Sequence, residues 1–171
     1  MADQLPDLSI LRRCWPTYSD EASTHPVMVN GERIGGERPV VIAGPCAVES
    51  YEQTLAIARS VVAAGGRLLR GGVFKPRTNP HSFQGLREEG LEILAEVRRQ
   101  TGIGIVTEVM DPRLVELVAD TADMIQIGSR NMHNGALLDA AGRSGRPDRP
   151  CASWPLPTSS RRRPTGIAWA S

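Results

Sequence analysis

The stretch Leu68-Leu-Arg-Gly-Gly-Val-Phe-Lys-Pro-Arg-Thr78 places three cations and a pair of glycines directly after a short apolar run. Lys75 is the only lysine of the chain, and the other 19 of its 20 basic residues are arginines. A solvated surface position would more readily have been arginine too, so we interpret Lys75 as a functional residue. Clustered cations beside glycines that expose the backbone are typical of a loop that binds phosphorylated small molecules.

The apolar run before this loop is one of four, and each of the four is followed by an amphipathic helical pattern. The runs cover residues 39–44, 67–72, 102–108 and 123–128. Predicted helices follow them, starting after Ser50 and after Asp111 and spanning about residues 86–100 and 132–141. Short continuous apolar runs are typical of strands buried on both faces. The alternation therefore predicts parallel strands joined by right-handed helical crossovers.

Polar residues at the ends of these strands distinguish the two α/β architectures that begin in this way. A doubly wound sheet concentrates its site at one switch point, whereas a (β/α)8 barrel gathers it from the carboxyl ends of many strands. All four strands contribute candidates here, which are Cys46, Arg70, Lys75, Arg77, Glu108, Gln126 and Arg130. We therefore predict an α/β fold of the TIM-barrel class, truncated to about the first four β/α units.

The two ends of the chain do not follow the alternating pattern. Residues 1–26 show no sustained period and are interrupted by prolines, so we predict an irregular arm. Asn30-Gly31 between short β-prone runs predicts a hairpin that caps the barrel. Residues 147–171 are rich in proline and arginine, and we predict a disordered tail. The predicted divisions are residues 1–26, 27–146 and 147–171.

Composition excludes several classes of function for the 171 residues. The net charge of +1 gives no general attraction to nucleic acid or to anionic membranes, and the arginine run at 161–163 is interpreted as a solvated tail. No apolar run approaches the roughly 20 residues that a bilayer requires. The three cysteines lack C-x-x-C spacing, and residues 1–20 lack the apolar core of a secretory signal. We therefore expect a cytoplasmic protein with reduced cysteines.

Five segments in series resemble 3-deoxy-D-arabino-heptulosonate 7-phosphate (DAHP) synthase of the short, bacterial, type I beta branch. They are Ile42-Ala-Gly-Pro-Cys-Ala-Val-Glu-Ser50, Leu69-Arg-Gly-Gly-Val-Phe-Lys-Pro-Arg-Thr78, Ser82-Phe-Gln-Gly85, Val106-Thr-Glu-Val-Met-Asp111 and Gln126-Ile-Gly-Ser-Arg-Asn-Met132. The likeness covers about residues 27–146. The sister family, 3-deoxy-D-manno-octulosonate 8-phosphate synthase, shares the Gly-Pro-Cys element but carries an asparagine-containing segment in place of Lys75-Pro-Arg-Thr78. That segment favours the heptulosonate enzyme.

The resemblance implies a transferase that condenses phosphoenolpyruvate with D-erythrose 4-phosphate and water, giving DAHP and phosphate. This is the first step of the shikimate pathway towards chorismate and the aromatic amino acids. It assigns Arg70 and Lys75 to catalysis and, with Arg130, to phosphoenolpyruvate binding. Further substrate contacts fall on Pro76, Arg77 and Thr78, of which Arg77 and Thr78 match the erythrose 4-phosphate contacts. Glu108 and Gln126 are predicted to support the same site, with a structural role as the open alternative.

The resemblance also implies a divalent metal of the Mn, Fe, Co or Zn class, with Cys46 among its ligands. A thiolate suits a transition metal, and the metal would polarise the aldehyde oxygen as a Lewis acid. By itself, Cys46 could equally be a small buried apolar residue. His81 and His133 are expected to be exposed and to take no part in metal binding.

The chain departs from the family after the predicted fourth helix. The family continues with a Lys-Arg-Gly strand and with Asp-Pro-Ser-His and Glu-Val-His motifs, none of which occurs in this sequence. We therefore expect a truncated form, with a tail read in a shifted frame, poor metal affinity and little activity. The alternative is a phosphate-binding remnant or interaction protein without catalysis. A half-barrel exposes two strand edges, so we also expect homo-oligomers or another association through those edges.

Overall fold

A parallel sheet of five strands forms the centre of the computed structural model, which describes residues 26–35, 39–75, 77, 79, 81–146 and 148–150. The strand order in the sheet follows the chain, so each strand lies beside the next one in sequence. The strands are β3 (Ile42–Ala43), β4 (Leu68–Arg70), β5 (Gly104–Val109), β6 (Met124–Ile127) and β7 (Asp148–Pro150). All four pairings between them are parallel, as the alternating pattern predicts.

Four α-helices connect these strands. They are α1 (Tyr51–Ala63), α2 (Arg87–Thr101), α3 (Val115–Thr121) and α4 (Gly135–Arg143), with 3-10 turns at Pro112–Leu114 and Ser129–Asn131. The predicted order of alternating strands and helices is therefore confirmed. None of the helices in the described part of the chain is long and apolar enough to cross a membrane.

Side-chain caps determine where several helices begin. The hydroxyl of Ser50 accepts a hydrogen bond from the backbone N–H of Gln53 at 3.2 Å, so Ser50 caps the helix predicted to start after it. The carboxylate of Asp111 accepts from the N–H of Arg113 at 2.9 Å and caps the turn that leads into α3. The fourth helix begins later than residue 132, because Ser129–Asn131 form a 3-10 turn and Asn134 supplies the cap.

The two faces of the sheet pack against different partners. Outward-facing residues such as Leu69, Ile105 and Ile125 join the main core with the helices. Inward-facing Leu68, Val106 and Met124 form a second core with Val29 and Ile34. The second core contains the hairpin of β1 (Val27–Val29) and β2 (Glu32–Ile34), which are antiparallel.

The hairpin closes the amino-terminal end of the inner face. Its turn places Asn30 at φ 47° and Gly31 at φ 81°, the left-handed conformations that the Asn-Gly pair predicts. The side-chain amide of Asn30 donates hydrogen bonds to the carbonyl of Arg67 at 3.3 Å and to that of Gly102 at 3.0 Å. The candidate site lies at the opposite end of the inner face, at the carboxyl ends of the strands.

The fifth strand differs from the prediction of a disordered segment over residues 147–171. Asp148–Pro150 pair with Ile125–Ile127 of β6, which extends the sheet by one strand. Three residues are too few to show a period in sequence, whereas the backbone groups along β6 can pair with almost any sequence. Residues 151–171, like residues 1–25 of the predicted arm, lie outside the described residues.

The free edge of β3 borders a groove of about 650 Å³ between this strand and α1. Its lining is largely apolar and includes Val40, Val41, Ile57 and Val61. Val41 is 69% exposed. An edge strand with apolar neighbours is a surface on which other chains can associate.

Candidate functional site

On the inner face of the sheet, an apolar side chain is followed two residues later in the same strand by a polar one. Leu68 precedes Arg70 in β4, Val106 precedes Glu108 in β5, and Met124 precedes Gln126 in β6. Residues two apart in a strand point to the same face. The apolar members contact the hairpin core, and the polar members therefore form a layer above it at the carboxyl ends of three adjacent strands.

The buried loop that follows β4 brings Lys75 to this layer. Residues 71–75 are buried, and Lys75 is only 5% exposed. Its ammonium donates a hydrogen bond to the carbonyl oxygen of Cys46 and lies 3.3 Å from the Cys46 thiol. A Cβ on Gly72 would lie 2.5 Å from Lys75 Nζ and 2.6 Å from the Cys46 carbonyl oxygen, so the second glycine of the pair leaves room for the lysine.

Arg70 and Gln126 connect the two outer strands of this layer. The Nε of Arg70 donates to Oε1 of Gln126 at 3.0 Å, although 56 residues separate them in sequence. Gln126 is 4% exposed and lies opposite Glu108 in the register of β5 and β6. This hydrogen bond orients the guanidinium of Arg70 and satisfies a buried amide oxygen.

Glu108 is the carboxylate of this polar layer and is 8% exposed. Burial raises the pKa of its carboxyl, and the charges of Lys75, then Arg70, then Arg130 act against that rise. Lys75 and Arg70 together carry more positive charge than one ionised Glu108 carboxylate neutralises. Such an excess at the carboxyl ends of the strands favours an anionic ligand.

The remaining predicted site residues occupy different positions. Arg130 is exposed in the turn after β6, and Arg77 is exposed in the loop after Lys75. Pro76 and Thr78, predicted to contact substrate, lie outside the described residues. His81 and His133 are exposed, as predicted.

Cys46 is exposed, so the alternative of a small buried apolar residue is wrong. The preceding Gly44 has φ 146° and lies against the backbone of Arg70, which directs the chain outwards after a short β3. Within residues 26–35, 39–75, 77, 79 and 81–146, no three His, Cys, Asp or Glu side chains form a group that could hold a metal ion. Catalytic divalent sites use about three protein ligands. The single side chain of Cys46, beside that of Lys75, therefore does not make a metal site by itself.

Sequence reasoning missed the glycine that follows β6. A Cβ on Gly128 would overlap Oε1 of Glu108 and lie 3.0 Å from its Cδ. The only signal in the sequence is a repeated pattern, because a glycine follows the apolar run at Gly44, at Gly71-Gly72 and again at Gly128.

The profile of the DAHP synthetase I family matches residues 20–147, which contain every strand and helix of this site except β7. The chain belongs to the DAHP synthetase I family.

Two kinds of aldolase resemble the chain over about two-thirds of its length. The phospho-2-dehydro-3-deoxyheptonate aldolase of Thermotoga maritima is 45% identical over 115 residues, which are 67% of this chain and 34% of that protein. A 2-dehydro-3-deoxyphosphooctonate aldolase of Syntrophotalea carbinolica is 42% identical over 120 residues, which are 66% of this chain and 43% of that protein. A heptonate aldolase and an octonate aldolase therefore both share this segment with the chain.

Solved structures agree with the barrel fold. The crystal structure of the Thermotoga maritima DAHP synthase superposes with a TM-score of 0.71 at 39% identity, covering 81% of this chain and 39% of that one. A truncated form of the same enzyme superposes with a TM-score of 0.67 at 36% identity, covering 76% of this chain and 46% of that one. The predicted TIM-barrel class is confirmed, and the chain spans less than half the length of the relatives it matches.

Proposed function

We propose that the polar layer of β4, β5 and β6 is the phosphoenolpyruvate-binding part of a DAHP synthase site. The observation that carries the proposal is the group of three cations, Arg70, Lys75 and Arg130, around the buried Glu108. Phosphoenolpyruvate carries a phosphate and a carboxylate, and guanidinium and ammonium groups bind both by charge-assisted hydrogen bonds. Family membership supports the same substrate.

In the proposed reaction, C3 of phosphoenolpyruvate forms a carbon–carbon bond with the aldehyde carbon of erythrose 4-phosphate. The aldehyde oxygen gains a proton, water adds at C2, and phosphate leaves, so that DAHP and phosphate are the products. Arg70 and Lys75 hold the enol phosphate at the strand ends, and Arg77 and Thr78 are the proposed contacts of erythrose 4-phosphate, with Pro76 as a further substrate-binding residue.

Lys75 is suited to contact a reacting oxygen. An ammonium has three N–H donors, and two of them face the carbonyl and the thiol of Cys46. The third can donate to a phosphate or to the oxygen on which charge develops. Its side chain is held by burial and by Gly72, so little reorganisation is needed when the substrate binds.

The metal of the family requires ligands beyond the described residues. Cys46 can supply one thiolate, and a bound divalent ion would act as a Lewis acid on the aldehyde. Since the described donors do not complete a site, we assign only substrate binding and orientation to this part of the chain. Cys46 remains a proposed ligand.

Isothermal titration calorimetry of the purified chain with phosphoenolpyruvate tests the proposal. We expect Lys75→Met and Arg70→Met each to weaken binding by about tenfold or more, since each removes a charge-assisted contact. Arg59→Met is the matched control, because Arg59 is exposed on α1. Equal affinities of all four proteins, or no binding by the unmodified chain, would overturn the proposal.

A second function, anion capture without catalysis, is favoured by the incomplete set of metal ligands. A steady-state assay with manganese, phosphoenolpyruvate and erythrose 4-phosphate separates the two. We expect phosphoenolpyruvate to bind with little or no formation of DAHP. Turnover at ordinary enzymatic rates, above about 1 per second, would establish the complete reaction instead.

A further inference from the structure

Gly128 has no backbone reason to be glycine. It follows β6 with φ −67° and ψ 153°, which is extended backbone that any residue adopts. Glycine is needed at this position because of a side chain on the neighbouring strand, β5. The three atoms closest to an added Cβ all belong to the carboxyl group of Glu108, with Oε1 overlapping, Cδ at 3.0 Å and Oε2 at 3.7 Å.

The Glu108 carboxylate therefore occupies the space in which a side chain at residue 128 would begin. This differs from Gly44 and Gly72, where an added Cβ would also meet the backbone of Arg70 or Cys46. At Gly128 the three atoms nearest to an added methyl group all lie at the end of a flexible side chain. An alanine there would displace the carboxylate and leave the strands in place.

We propose that Gly128 is a positioning residue, which makes room for the Glu108 carboxylate beside β6 and thereby leaves Arg70 and Lys75 available to an anionic ligand. The proposal deepens the proposed function and rests on it. Glu108 lies on β5, between β6 on one side and β4 on the other. Movement away from β6 across the sheet is movement towards β4.

Such a movement would neutralise the anion site. Arg70 ends β4 and Lys75 lies in the loop after it, while Arg130 follows β6, and these are the charged groups that act on Glu108. A carboxylate displaced towards Arg70 and Lys75 would pair with them directly. It would then compete with the phosphate and carboxylate of the ligand for the same donors.

A double-mutant cycle tests this role with four proteins: the unmodified chain, Gly128→Ala, Glu108→Ala and the double variant. The probe is phosphoenolpyruvate, measured by calorimetry at constant pH. We expect Gly128→Ala to weaken binding by about tenfold when Glu108 is present and by less than about twofold when it is absent. Without the carboxylate, the added methyl group has room and no charge to displace.

Gly142→Ala is the matched control, because Gly142 is exposed in α4 and an added Cβ meets nothing within 4 Å. It should bind phosphoenolpyruvate as the unmodified chain does. An equal loss of affinity on Gly128→Ala in both backgrounds would show that Gly128 does not act through Glu108, and no loss in either would show that it positions nothing.

Thermal unfolding separates a failure of this inference from a failure of the proposed function. If the unmodified chain binds no phosphoenolpyruvate, the proposed function fails, but the steric relation is still measurable. Gly128→Ala should then lower the unfolding temperature only when Glu108 is present. The same decrease in the Glu108→Ala background would overturn the positioning role.

Discussion

The two ends of the inner face are built from the same three strands and differ in what covers them. At the amino-terminal end, Leu68, Val106 and Met124 are fully buried beneath the hairpin. At the carboxyl end, two residues further along, the layer is formed by charged and amide side chains that no hairpin covers. The comparison teaches that the two-residue period of a strand determines which residues lie on the inner face. Whether an apolar or a polar side chain suits such a position depends on the element that covers it.

The costs of burial also differ between the two ends. Apolar burial at the amino end stabilises the fold by roughly 25 cal/mol per Å² removed from water. Burial of Lys75, Glu108 and Gln126 at the carboxyl end is tolerated because each has a polar or charged neighbour. We therefore expect changes at the amino end to lower stability, and changes at the carboxyl end to alter ligand binding and the dependence of stability on pH.

The largest effect on stability is expected at the amino end. Leu68→Ala removes a fully buried side chain between the sheet and the hairpin, and should lower the free energy of unfolding by about 2–5 kcal/mol. Urea denaturation measures the change. Val41→Ala is the control, because Val41 is 69% exposed and should change stability by less than about 0.5 kcal/mol. Similar losses in the two variants would refute the contrast.

A smaller loss of folding stability is expected when the hydrogen bonds between the hairpin and the strands are removed. Asn30→Gly keeps a residue suited to φ 47° but removes both hydrogen bonds from the side-chain amide. We expect a loss of about 1–2 kcal/mol by urea denaturation. Gly31→Asn, at the other left-handed position of the turn, leaves those hydrogen bonds in place and should cost less. A larger loss in Gly31→Asn would show that turn conformation, and not the amide contacts, holds the hairpin.

At the carboxyl end we expect a pH-dependent effect from Glu108. Its pKa is raised above the ordinary value of 4.5, so the folded chain binds this proton more tightly than the unfolded chain. The contribution of Glu108 to stability should therefore fall as the pH rises from 4.5 through the raised pKa, and level off above it. Urea denaturation over this range should show a steeper decline for the unmodified chain than for Glu108→Gln. Parallel curves would contradict a raised pKa.

The smallest effect is expected outside both layers, on the exposed surface of α2. Hydrogen bonds from Arg99 and Gln100 lower the pKa of Glu96 to about 2, but these groups are exposed to solvent. Exposed ion pairs contribute little to stability and are screened by salt. Glu96→Gln should leave the urea midpoint unchanged within experimental error. A clear decrease in the urea midpoint that is independent of salt would show that Glu96 contributes to stability as a core residue does.

Much of the fold was predictable because its signals are local. The alternation of apolar runs and helical stripes, the caps at Ser50 and Asp111, and the Asn-Gly turn each lie within a few residues. The fifth strand was missed because the three residues Asp148–Pro150 are too few to show a period in the sequence, although their backbone pairs with β6. The site was predictable as a set of residues at strand ends, although the contacts among them were not.

The sequence by itself determined the family, the order of the elements and the residues that could meet at the carboxyl ends of the strands. Tertiary structure decided their relations. It brings Arg70 to Gln126, Lys75 to Cys46 and the carboxylate of Glu108 against Gly128. Each of these pairs joins different elements of the fold, and the contact depends on the register of neighbouring strands or on a loop that folds back between them. A local pattern cannot encode such distances, since they arise only when the sheet is assembled.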